Sequence, residues 1–188
     1  MSKKAKIKEA EDFLARMKEE QNNREHFVHS LSAFLSAARS VLQYALNEVD
    51  PKENPSAKPG AKTWYDDLMS SGRILKFFKC KRDINIHDEP VKPSAHFQAT
   101  STEKAGISES FSIVRRDKDG KIISEYSSEE SKPEPEKQEK QETSIVQEVR
   151  YKFSDWTGDE DVLTLCENYI QELEKVVKDG ISKGLITE

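Results

Sequence analysis

Apolar positions recur at helical spacing over most of the chain. Between residues 4 and 20, Ile7, Ala10, Phe13, Leu14 and Met17 stand three and four apart on a charged background, which predicts an amphipathic helix near 5–20. Lysines open this segment, the wrong charge for a helix N-terminus, so its first turn is expected to fray. From Arg24 to Val49 the stripe is longer: Phe27, Leu31, Phe34, Leu35, Ala38, Val41, Leu42, Ala45 and Val49 predict about seven turns with a broad buried face. Asp50-Pro51 ends it and a Pro-rich loop follows. Trp64, Tyr65 and Leu68 begin a third helical region, 61–88, which carries a break at Ser70-Ser71-Gly72 and then Ile74, Phe77, Phe78 and Ile84 on one side. Pro90 and Pro93 close it, because helices rarely run past the residue before a proline.

After Pro93 the period changes from helical to alternating. Residues 96–100, 108–116 and 121–128 read as strands, the last two flanking a hairpin turn at Asp117-Lys118-Asp119-Gly120. Residues 129–142 hold no large apolar side chain and are expected to form a disordered linker, since nothing in them offsets the entropy of ordering. Ile145, Val149, Tyr151 and Phe153 alternate again as a fourth strand. Asp159, Glu160 and Asp161 then suit a helix N-terminus, and Val162, Leu165, Cys166, Tyr169, Leu173 and Val176 form a stripe over 159–179, with a Schellman stop expected at Gly180. The predicted fold is mainly α: a four-to-five-helix bundle (1–93 and 154–188) with a small antiparallel β-sheet of three or four strands inserted before the last helix (94–153). Phe34, Leu35, Leu42, Phe77, Leu165 and Leu173 are its expected core.

Composition narrows the function. The 188 residues are 35% charged and 35% hydrophobic, with a net charge of −5. An acidic chain has no global attraction to nucleic acid, so any such binding needs a local basic patch. Cys80 and Cys166 form no Cys-x-x-Cys pair and are expected as reduced thiols in or near the core, which disfavours a zinc ribbon or thioredoxin-type chemistry. No apolar run of membrane-spanning length and no signal-peptide core occurs, so the expected location is cytoplasmic, with no membrane partner.

His26 and His29 are three apart on one helix, but no further ligand is placed to complete a metal site, and none is expected. Phosphate-binding glycine loops, nucleophile elbows and zinc-protease motifs are missing from the sequence, and no cofactor is expected. The segment 73–87 stands out. Arg73, Lys76, Lys79, Lys81 and Arg82 place five cations in ten residues without an acid, interleaved with Phe77 and Phe78. Such a patch could hold a phosphate backbone, with Asn85 adding a donor; equally, the cations could simply solvate a helix whose phenylalanines are core.

Arg82-Asp83-Ile84-Asn85-Ile86-His87 follows directly. An arginine, a polar residue and a histidine five positions on, late in a helical bundle, resembles the motif of the HEPN superfamily (higher eukaryotes and prokaryotes nucleotide-binding). Arg24 and His29 share the spacing but lack that context. HEPN toxins paired with a nucleotidyltransferase often carry tyrosine two positions after the histidine; Glu89 stands there. The resemblance implies a metal-independent endoribonuclease, a toxin or phage-defence component, working as a homodimer with two motifs facing one cleft. RNA is then the substrate, and a cognate antitoxin protein a partner. In that reading the catalytic residues are Arg82, His87 and Asp83. An imidazole titrates near pH ~6.5 and suits proton transfer to or from a ribose hydroxyl. The guanidinium would grip the phosphate, and Asp83 would orient His87. On a straight helix, however, Arg82 and His87 lie about 140° apart. A non-catalytic helical domain that binds a nucleotide, RNA or a protein, with Arg82 and His87 serving structure, is the other reading of the same residues.

Overall fold

The long apolar stripe lies at the centre of the computed structural model, which describes residues 2–88, 90–101, 112–116, 122–127 and 145–188. Five helices run in the order α1 (Lys3–Glu19), α2 (Arg24–Val49), α3 (Ala61–Ser71), α4 (Arg73–His87) and α5 (Val162–Ser182). Four strands, β1 (Ser94–Ser101), β2 (Ser112–Arg116), β3 (Ile122–Ser127) and β4 (Ile145–Lys152), lie between α4 and α5. The fold is therefore mainly helical with small β-structure before the last helix. The chain divides into two compact units, Met1–Gln98 with Glu148–Glu188, and Ala99–Gln147.

In the first unit α2 packs against all four other helices. Phe34, Leu35, Leu42, Leu165 and Leu173 are buried as expected. Phe77 is only partly buried, packed against the edge of this core. Each long helix has a polar side chain at its start. Asn23 accepts from the His26 N–H, and Asp161 accepts from the Thr164 N–H at 2.8 Å, each satisfying a donor that lacks an intrahelical partner. No described helix is long and apolar enough to cross a membrane.

Three expectations are corrected. The first turn of α1 is not left to fray: Ser2 caps it, and Lys3, 2% exposed, pairs with Glu48 at the end of α2. A cation at the unfavourable helix end is thus held by a tertiary carboxylate. The break expected within 61–88 falls at Gly72, which leaves helical geometry with φ −76° and ψ 98° and separates α3 from α4. The last helix runs on to Ser182, and its Schellman glycine is Gly184, not Gly180. Gly184 has φ +63°, its N–H donates to the Ile181 carbonyl, and the Leu185 N–H donates to Gly180 at 2.8 Å, the two bonds of a Schellman motif. The strands form two separate two-stranded ladders, β1 with β4 and β2 with β3, instead of one sheet. β2 and β3 are antiparallel, with Ile113 opposite Tyr126 and an irregularity between Arg115 and Arg116. Alternation identifies a strand but carries no information about which edges pair. The Asp117–Gly120 turn and the 129–142 linker fall outside the described residues.

Gly180 has a packing role inside α5. A Cβ there would come within 2.7 Å of both Ile186 Cδ1 and Trp64 Cη2. The Trp64 indole is fixed, donating to Asp179 at 2.8 Å. Gly180→Ala is expected to lower stability in chemical denaturation by about 1–3 kcal/mol from overpacking, although alanine is the better helix former by ~1 kcal/mol. A stabilised variant would show that this corner yields freely.

Glu48 joins three segments, accepting from Lys3 and from the N–H and hydroxyl of Thr187. Burial pushes its carboxyl up, but these hydrogen bonds together outweigh burial and hold it below the usual 4.5. A depressed folded pKa gives stability that is present above the unfolded value and lost as pH falls through the folded one. Acid unfolding should therefore include a step below about pH 4.5 that is missing in Glu48→Gln. That variant should be roughly 1 kcal/mol less stable at pH 7.

Candidate functional site

Helix α4 carries every residue singled out for chemistry, and its rotation decides what each one does. Leu75 and Phe78 turn inward with Lys81. Phe78 stacks on Tyr169 with centroids 4.3 Å apart and planes 3° from parallel, and meets Phe34 edge-on at 6.1 Å. Three helices thus meet in one aromatic contact, worth more than the area that it buries. On its flank Phe77 touches Phe153 at 5.3 Å and Trp156 at 4.8 Å, both from the segment that follows β4.

This second aromatic layer takes two of the five cations. Lys81 is 9% exposed; its ammonium pairs with Asp155 Oδ1 at 2.6 Å and lies 5.3 and 5.0 Å from the Phe77 and Phe153 ring centres. Arg73 stacks over Trp156 at 4.2 Å and donates to Thr157. The indole N–H of Trp156 donates to Glu160 at 2.8 Å, and that bond holds the Glu160 carboxyl below its usual range. Cation–π contact with desolvation fixes a cation far better than solvent exposure does. Lys76 and Lys79 are exposed.

The motif itself is split. α4 is unbroken from Arg73 to His87, so Arg82 and His87 stay about 140° apart around its axis. Arg82 Nη1 pairs with Asp83 at 3.2 Å, with side chains 33% and 43% exposed. Asp83 therefore engages the arginine next to it. His87 is exposed and has no side-chain hydrogen bond to another described residue. Asn85 donates to Ser32 Oγ at 2.7 Å and accepts from the Val91 N–H at 3.2 Å, joining α4 to α2 and to the turn beyond it. The polar groups brought together are thus Arg82 with Asp83, Lys81 with Asp155, and Asn85 with Ser32. Glu89 lies outside the described residues.

Phe153, Asp155 and Trp156 were legible only as a strand end and a turn, yet they fix two of the cations. The available signal was an acid between two aromatics. Cys80 is exposed, contrary to the expectation for a core thiol, because it lies on the face of α4 opposite Phe78; Cys166 is buried, which pushes its thiol pKa well up. His26 Nδ1 lies 3.6 Å from Glu20, and among the described residues no group of three metal-ligating side chains comes together. A cavity of about 180 Å³ at the end of α4 is lined by Lys81, Ile84, Pro90, Val91, Lys92, Pro93, Phe153 and Ser154. A wider groove, about 790 Å³, runs between α1 and α5, floored by Ile7 and Val177, and no residue of α4 lines it.

Compared with known proteins, the chain matches no family model, no curated protein and no solved structure.

The Lys81–Asp155 pair is testable by thermodynamics. Asp155→Ala leaves a buried ammonium without its carboxylate, whereas Lys81→Met puts a chain of similar length among the same rings. Asp155→Ala should lose about 1–3 kcal/mol, and Lys81→Met should stay within ~1 kcal/mol of the parent. The reverse order in urea titrations would mean that the cation–π contacts dominate over the ion pair.

Proposed function

We propose that this chain is a non-catalytic helical binding module that takes a protein partner at the C-terminal end of α4. One observation carries the reading. Among residues 2–88, 90–96 and 149–188, whose exposure the structure describes, three large hydrophobic side chains are exposed, and two of them, Ile84 at 36% and Ile86 at 48%, stand on the last turn of α4, on opposite sides of it. Meanwhile Arg73, Lys81, Arg82 and Asn85 are engaged within the chain. Ile84 also lines the small cavity at that end of the helix, and covering its apolar surface with a partner gains free energy, about 25 cal/mol per Å². A phosphate track would instead need the cations outside and contiguous.

A second reading is the HEPN-type ribonuclease, as a toxin or defence component. It is favoured by the exposure of His87 and the one-third exposure of Arg82. It requires a homodimer in which Arg82 of one copy meets His87 of the other across a two-fold axis.

One experiment separates the two. Purified protein is incubated with total RNA in EDTA, beside Arg82→Ala and His87→Ala, and its mass is measured by sedimentation. The module reading expects intact RNA in all three samples. Cleavage leaving a cyclic or 3′-phosphate and a 5′-hydroxyl, from a species larger than the 21.5 kDa monomer, would overturn it. In that case each alanine variant should lose about 10²-fold or more, and Asp83→Asn less.

A further inference from the structure

We infer that Glu48 is a latch: it holds the first turn of α1 and the segment 184–188 closed against the bundle, and its loss releases those two segments without unfolding the helices between them. The latch is independent of the binding-module reading of α4 and gives the same unit a conformational device.

Three donors meet at this one carboxylate. The Lys3 ammonium reaches it from α1. The N–H and the hydroxyl of Thr187 reach it from the segment after α5, the hydroxyl at 3.1 Å. Among the described residues Glu48 is the acceptor for all three. A carboxylate can serve them together because both of its oxygens accept and its charge strengthens each bond. An amide in its place has a single accepting oxygen and turns N–H groups toward the remaining donors.

Burial ties α1 to the latch. Lys3 is 2% exposed, so without Glu48 its ammonium would be enclosed with no counter-charge. That state is costly enough that the turn carrying it must lift into water. Further along the helix Ala10, Leu14 and Met17 are buried in the main core and keep the rest of α1 in place.

The segment 184–188 is attached by little else. Gly184 turns the chain with φ +63°, the Leu185 N–H donates to the Gly180 carbonyl at 2.8 Å, and the one buried side chain is Ile186, 5% exposed. Ile186 belongs to a small cluster with Ala45, Val49, Ala61 and Tyr65, apart from the core around Phe34, Phe78 and Tyr169. A segment with few buried contacts opens at a lower free energy than the whole domain. Lys4 and Glu188, the next residue along each segment, pair with each other, and both line the groove between α1 and α5. Their ion pair is exposed and screened by solvent, too weak to hold the segments by itself. Release of the latch therefore also frees that margin of the groove.

The test measures ¹⁵N backbone relaxation on the full chain at pH 7. In the parent protein residues 3–7 and 184–187 should show order parameters of about 0.85, as rigid backbone does. In Glu48→Gln both segments should fall to about 0.6 or below, while the middle of α2 and of α5 stays at about 0.85. Glu48→Asp keeps the charge but draws it back by one methylene, and it repeats the measurement should Glu48→Gln misfold. Two further variants separate a latch from fraying of each end by itself. Lys3→Met should leave 184–187 rigid, and Ile186→Ser should free 184–187 while 3–7 stay rigid. Rigid segments in both Glu48 variants, release of only one segment, or loss of order through α2 and α5 would each overturn the inference. So would a parent protein already flexible at 184–187, or a segment freed in the variant expected to keep it rigid.

Discussion

The stack of Phe78 on Tyr169, with Phe34 against both, is the constraint from which the rest of the helical unit follows. It joins α2, α4 and α5 at one point: Phe34 lies 6.1 Å from Phe78 and 6.4 Å from Tyr169. Rings of this size packed edge and face leave little rotational freedom to the helices that carry them. Tyr169 is so deeply enclosed that its hydroxyl has no hydrogen-bond partner among the described residues, and burial pushes its pKa up. A desolvated hydroxyl costs about 1–3 kcal/mol, so the packing around the ring must outweigh that penalty.

Once Phe78 is turned inward, every other position on α4 is assigned by the helical period. Lys81, three residues on, is carried beneath the segment after β4, where Phe153 and Asp155 enclose it. Asn85, seven residues on, reaches α2 at Ser32. His87 is turned out to solvent and Arg82 to the margin. A run of cations that looks continuous along the sequence is thereby divided. Arg73 and Lys81 are held by aromatic rings, whereas Lys76 and Lys79 are left on the surface. Ile84 and Ile86, on the last turn of the helix, are left exposed.

The same principle operates at the other end of the unit. Lys3 opens a helix where a cation is unfavourable, and Glu48 offsets this from α2 while also receiving Thr187. Trp64 reaches Asp179, and Gly180 lets Ile186 and that indole approach the helix backbone. In each case a residue poorly suited to its local element is held by a group distant in the chain.

What the sequence determined by itself was the set of elements and most of the core. Helical spacing placed α2 and α5 closely, the Ser-Ser-Gly break anticipated the division between α3 and α4, and alternation located the strands. These depend on local period and on Pro and Gly punctuation, which neighbouring residues carry in full. Tertiary structure alone decided the site. Whether Lys81 is a ligand-binding cation or a buried partner of Asp155 depends on a segment more than seventy positions away. Asn85 serves as a tie because Ser32 of α2 is within reach. The closing Schellman motif fell at Gly184 because Ile186 packs back onto Gly180. Long-range contacts of this kind leave no period in the sequence, since they arise only when several separately amphipathic elements settle on a single packing.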